Sequence, residues 1–178
     1  MGDQLTPDDF RNLVRHFEHA AWRLETLPVY TLEEELPEVE RYRAGNPTPP
    51  PELSWYREWL DQIAKATSEG KRIERVRIST EPPTLYQQWE SWAGQWNVRA
   101  GEQIRYISRS RALEIGLPVD GGDWWLFDSL RLAKMRFDPD GRPCGGEIIT
   151  DPAEVIKACA WRDLAVHYSA PTDGVAAA

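Results

Sequence analysis

The sequence is most informative first in what it lacks. Its 178 residues include two cysteines and three histidines. Cys144 and Cys159 make no disulfide framework, and free thiols fit a reducing compartment, so a cytoplasmic location is expected. Three scattered histidines give no zinc-ligand spacing. His16 and His19 fall three apart on one predicted helix, but no second carboxylate–histidine pair accompanies them, so no metal site is expected. No run of 18 apolar residues occurs, which excludes a membrane-spanning helix. The segment Met1–Pro7 has neither the basic start nor the apolar stretch of a signal peptide. Phosphate-binding glycine loops, dinucleotide-binding glycine patterns and the G-x-S-x-G elbow are missing too, so no cofactor is expected and nucleophilic catalysis has no sequence support.

Basic charge is scarce as well. The net charge is −8. It is unevenly spread: residues 1–70 hold seven basic against fourteen acidic residues, residues 71–111 eight against four, and residues 112–178 six against eleven. A basic island therefore lies inside an acidic chain. Such a protein repels nucleic acid at long range and retains one local patch able to touch it.

What is abundant is tryptophan, nine residues in all. Each brings a large apolar area and an N–H that needs a partner. At this length one well-buried core is expected, with residues 1–170 as a single domain and 171–178 as a flexible tail. Thr6-Pro7-Asp8-Asp9 opens a first helix, and in the ambiguous segment Ala21–Thr31 Trp22 and Leu24 alternate with Arg23 and Glu25, which reads as a short strand. An acidic helix interrupted by Pro37 follows over Leu32–Arg43. The proline run at 47 and 49–51 is a stiff connector, and a strong helix covers Leu53–Glu69. Strands are expected at Arg75–Ile78, Ile104–Ile107, Trp124–Phe127, Leu130–Phe137 and Glu147–Ile149, with Trp124–Phe127 central because it is wholly apolar. Helices are expected at 84–97 and about 152–168, and a short one at Arg109–Ile115. Asp138-Pro139-Asp140-Gly141 is a turn. The class this gives is α+β: a helical N-terminal third packed on a mixed sheet of about five strands.

Two groups of residues are candidates for binding. Tyr86, Trp89, Trp92 and Trp96 recur at offsets of three, three and four, which places them on one helical stripe. The stripe either packs on the sheet or forms a platform for flat ligands. Arg75, Arg77, Arg99, Arg105, Arg109 and Arg111 lie near it in sequence. Their planar guanidiniums suit phosphates and carboxylates, either of a ligand or of the acidic N-terminal third. Trp124 and Asp128 bracket the central strand. Asp120, Asp123 and Asp128 are carboxylates around that strand, and turns or strand ends account for them.

From Arg72 onward, the pattern Arg75-Val76-Arg77-Ile78 through Gly101-Glu102, Asp123-Trp124-Trp125-Leu126-Phe127-Asp128, Asp138-Pro139-Asp140-Gly141-Arg142 and Asp151-Pro152 resembles an uncharacterised actinobacterial family often encoded beside helix-turn-helix regulators. Strand, helix, strand and an apolar strand ending in Asp128 are also similar to half of a phospholipase D-like domain. That superfamily carries H-x-K-x-x-x-x-D. Setting its Asp on Asp128 puts Gly121 at the His position and Asp123 at the Lys position, so the resemblance implies the framework without phosphodiester cleavage. The function expected is therefore a non-enzymatic regulatory or interaction protein acting with a DNA-binding partner. The alternative is a nucleic-acid or nucleotide binding module using the Arg/Trp region. A closed polar cleft with a perturbed carboxylate would instead favour an enzyme of unfamiliar type.

Overall fold

The computed structural model describes residues 2–171. Its elements, in chain order, are β1 (Asp3–Gln4), α1 (Pro7–His16), β2 (Ala20–Glu25), α2 (Leu36–Arg43), a short 3-10 turn (Pro50–Glu52), α3 (Ser54–Ser68), β3 (Arg72–Ser79), α4 (Leu85–Ala100), β4 (Gln103–Ser108), α5 (Arg109–Glu114), β5 (Trp124–Phe127), β6 (Arg131–Phe137), β7 (Pro143–Ile149), α6 (Pro152–Tyr168) and β8 (Ala170–Pro171).

The helices begin where their caps dictate. Thr6 accepts from the Asp9 N–H and Asp9 returns a bond to Thr6, with Pro7 in the first turn. Thr84 and Gln87 make the same reciprocal cap for α4, and Asp151 accepts from the Ala153 and Glu154 amides to start α6. Pro37 does not interrupt α2 but lies in its first turn, where a missing N–H costs nothing. Helix α4 ends at Gly101, whose φ of 113° suits glycine. A Cβ there would meet the Thr67 side chain at 2.7 Å, so the glycine also lets α3 and α4 close up.

Among the described residues the strands form one eight-stranded mixed sheet, ordered β1-β7-β6-β5-β2-β3-β4-β8. Strands β2, β3 and β4 run parallel, and the remaining pairings are antiparallel. The five strands expected from the sequence are all present, but the sheet is larger than expected and the N-terminal third is not simply helical. It supplies β2, the strand between β3 and β5, and the edge pair β1. The reason is that β2 is buried on both faces. Its Arg23 and Glu25 alternate with apolar residues, but the face they occupy is covered by helices. At the other margin β8 reaches Pro171, inside the segment expected to be a tail; residues 172–178 lie outside the described residues.

Side chains alternate across the sheet. One face carries Trp22, Leu24, Val76, Ile78, Leu126 and Leu132 against α5 and α6. The other carries Ala21, Ile73, Trp125, Phe127 and Ala133 against α1, α3 and α4. On that second face β2 and β3 also present four charged side chains.

Candidate functional site

The parallel register sets Arg23 beside Arg75 and Glu25 beside Arg77. Two guanidiniums on adjacent strands repel, and the arrangement holds only because a carboxylate lies between them. Glu25 is that carboxylate: it accepts from Arg23 Nη1 at 2.8 Å, Arg75 Nη1 at 2.9 Å and Arg77 Nε at 2.6 Å. Each arginine then meets a second carboxylate of its own. Asp123 pairs with Arg23 at 2.6 Å, Glu102 with Arg75 at 2.5 Å, and Glu90 with Arg77 at 3.1 Å.

Neutral groups complete the shell. Asp123 also accepts from the Thr26 amide at 2.8 Å and the Tyr30 hydroxyl at 2.8 Å. Asn97 donates to Glu102 at 2.7 Å and accepts from the Tyr56 hydroxyl at 2.9 Å. Arg77 reaches the Glu90 carbonyl at 3.1 Å. Gly94, one turn along α4 from Glu90, clears its path: a Cβ there would lie 3.1 Å from Arg77 Nη1.

Burial and charge work against each other in this network. Burial pushes the Glu25 carboxyl up, and the three guanidiniums overcome it, so Glu25 is held well below the carboxylate range. Burial also pushes Glu90 up; Arg77 and, more weakly, Arg75 offset it only in part while Glu25 and Glu35 add repulsion, and its pKa rises to about 8. Glu35, just before α2, is raised by burial as well, and its main compensation is a short hydrogen bond from the Tyr86 hydroxyl.

Above this floor lies a cleft of about 1110 Å³ between the sheet and helices α1, α3 and α4. Its walls are aromatic, with Trp55, Trp59, Trp89, Trp125, Tyr30 and Tyr86 among them. The rings cover the cations. Arg75 lies 5.9 Å from the Trp59 ring centroid, and Arg23 lies 5.5 Å from that of Trp125 and 5.7 Å from that of Tyr30. The cleft lining also carries charged side chains of α1 and α3, such as Arg11, Arg15, Glu58 and Lys65; aromatic walls with convergent polar groups are a usual form of small-molecule site.

The residues singled out from the sequence are dispersed by the fold. Arg75 and Arg77, each 5% exposed, and Trp89 belong to the cleft. The charges that pair with Arg75 and Arg77 come from β2, α4 and the start of β4. Trp92 and Trp96 are half-buried on the seam toward α2, with Trp92 5.8 Å from Tyr42 and 5.0 Å from Trp96. Arg99 stacks on Trp96. Arg105 holds Ser169 at the β8 margin. Arg109 pairs with Asp120 at 2.5 Å, beside a smaller hollow at the carboxyl ends of β2 and β3. Arg111 pairs with Glu114 and lies over Tyr168. Trp124 is buried on the opposite face against Trp22. Asp128 sits at the far end of β5 and accepts the amides of Glu18, His19 and Ala20, which fixes where the chain enters β2.

Sequence reasoning missed Arg23, Glu25, Asp123, Glu90 and Glu102 as site residues. One signal was available: β2 and β3 show the same apolar/charged alternation, with Glu25 opposite a basic partner.

This architecture is similar to that of phospholipase D family enzymes. It matches a phospholipase D family member, Nuc from Salmonella typhimurium, at a TM-score of 0.53 and 10% identity over 96% of this chain and 95% of that one. It matches NucT from Helicobacter pylori at a TM-score of 0.51 and 8% identity, over 96% and 98%. At such identities the likeness concerns the fold, and it covers nearly the whole of each of those two chains. The chain belongs to the family described as Domain of unknown function (DUF6879), whose model matches residues 8–175. No curated protein matches it. Among the described residues no helix is long and apolar enough to cross a membrane.

Proposed function

We propose that this protein is a non-enzymatic regulatory module that takes a small ligand in the aromatic cleft and acts through a protein partner, such as a helix-turn-helix DNA-binding regulator. The observation that carries the non-enzymatic part is Asp123. With the Asp of the phospholipase D-like pattern set on Asp128, its Lys would fall at this position and its His at Gly121. Asp123 is instead fully buried and bonded to Arg23, Thr26 and Tyr30, and Gly121 is exposed and has no side chain to offer. Phosphodiester transfer needs a nucleophile and a free cation there.

Direct nucleic-acid binding draws less support. Arg75 and Arg77 are spent on internal carboxylates, and a polyanion gains affinity chiefly from exposed cations that release its counterions. The test is a titration at physiological salt against duplex DNA, single-stranded DNA and a co-encoded regulator. Submicromolar binding to the regulator with weak DNA binding is expected. Submicromolar binding to DNA alone overturns the reading, and so does phosphodiester turnover that disappears in Asp128→Asn.

A second reading, an acid–base enzyme of unfamiliar type, is favoured by one observation. Glu90 lines the cleft with a pKa of about 8, the range of a general acid at neutral pH. It ranks second because Arg77 fixes that carboxyl and no nucleophile stands beside it.

A further inference from the structure

The charges of the cleft floor do not balance evenly, and the imbalance defines a ligand. Glu25, Glu102 and Asp123 answer Arg23, Arg75 and Arg77. Two carboxyls remain. Glu90 shares Arg77 with Glu25, and Glu35 is held by the Tyr86 hydroxyl rather than by a cation. Tyr86 and Glu90 are four apart on α4, hence neighbours on one helical face. Glu35 and Glu90 therefore flank Tyr86. Rings close the same corner: Trp89 is 5.5 Å and Tyr30 5.6 Å from Tyr86. Carboxyls among aromatic faces attract a cation twice, by charge and by the ring quadrupoles.

A second pair of groups, joined to that corner through Tyr30, lacks the opposite thing. Trp125 is 3% exposed, and its indole N–H has no acceptor. Arg23 Nε, on a guanidinium 5.5 Å from that indole ring, has none either. Both residues line the cleft. Buried donors without acceptors are rare, because leaving one unmade costs the full desolvation of the group. An oxygen arriving with a ligand would satisfy them.

We propose that the cleft binds a small zwitterion, with a guanidinium or ammonium group between Glu35 and Glu90 and a carboxylate or carbonyl oxygen accepting from Trp125 Nε1 and Arg23 Nε. This rests on the cleft being a ligand site. A purely anionic ligand would leave the surplus carboxyls facing it, and a purely cationic one would leave the two donors empty.

The test is calorimetric titration of the full chain with three probes: L-arginine, agmatine (a cation without the carboxylate) and benzoate (a carboxylate without the cation). Arginine is expected to bind at least tenfold more tightly than either. Glu90→Gln and Glu35→Gln weaken arginine and agmatine alike, about tenfold. Trp125→Phe, which keeps the ring and removes the N–H, weakens arginine severalfold and leaves agmatine within twofold. A cation beside Glu90 also requires its ionised form. Glu90 faces Arg77 and Arg75 on β3, Glu25 on β2, Glu35 before α2 and Tyr86 on its own helix, and titrates at about 8. Arginine affinity should therefore rise about tenfold from pH 6 to pH 7 and stay flat in Glu90→Gln. Cooperative unfolding of each variant establishes that it folds, and the wild-type pH profile reads the same linkage without any variant. Benzoate binding as tightly as arginine, unaffected by Glu90→Gln, overturns the zwitterion while sparing the cleft. Failure of all three probes to bind overturns both.

Discussion

The two faces of the sheet are made by the same strands and could hardly differ more. On one, Val76, Ile78, Leu24 and Leu126 pack against α5 and α6, and Ala112, Ala158 and Ala165 let the helices settle close. On the other, residues one position away on β2 and β3 bring Arg23, Glu25, Arg75 and Arg77 under α3 and α4. The apolar face shows what this fold needs for stability. The charged face shows something stability does not need. A buried ion network is often no better than a well-packed apolar replacement, because each charge loses its hydration. Here the network lies beneath an aromatic cleft, where the proposed ligand would meet it.

That contrast can be broken most severely at its hub. Glu25→Ala leaves three guanidiniums buried with one carboxylate each, and unfolding by urea should show a loss of about 3–5 kcal/mol. A loss below about 1 kcal/mol would mean that the network is well hydrated and the two faces are less different than they look.

The second test uses pH. The Glu90 pKa is raised in the folded chain, from 4.5 to about 8, chiefly by burial. Its contribution is fully present below the unfolded value and is lost as pH rises toward 8, since the unfolded chain gives up that proton first. Thermal midpoints should fall between pH 5 and pH 8 and level off above. Glu90→Gln should flatten that fall. The apolar face has no matching term. A wild-type midpoint that climbs through this window would contradict the assignment.

The mildest change belongs to the dry face. Ile78→Val removes one methyl group from a well-packed position and should cost about 0.5–1.5 kcal/mol, with no effect on ligand binding in the cleft.

The sequence carried much of this. Alternation in Arg75-Val76-Arg77-Ile78 marked β3, the apolar run marked β5 as interior, and caps at Thr6 and Asp151 marked helix starts. Pairing of Arg75 and Arg77 with the acidic N-terminal third was one of the two alternatives the sequence offered, and Glu25 fulfils it, but the sequence did not show that these charges would be covered. A charged residue at every second position ordinarily means a solvated face. In β2 and β3 the charged faces are covered, because opposite charges on neighbouring strands neutralise each other. That relation exists only once the strands are paired, and Glu25 and Arg77 are 52 positions apart in sequence. Asp123 was hidden for the same reason: among glycines it reads as a turn residue, and only the closeness of β2 and β5 gives it Arg23. Strands of two residues, such as β1 and β8, are too short for any periodic signal.

Those two short strands have a consequence for the molecule among its own copies. Each runs along an outer margin of the sheet, β1 on β7 and β8 on β4. A bare margin offers a ladder of unpaired amides and carbonyls to any passing strand. Here each margin is closed by a two-residue stop held by only a few bonds, and Pro171 in one of them cannot donate an amide at all. Trimming either stop should therefore leave the molecule more prone to joining edge to edge than the intact chain.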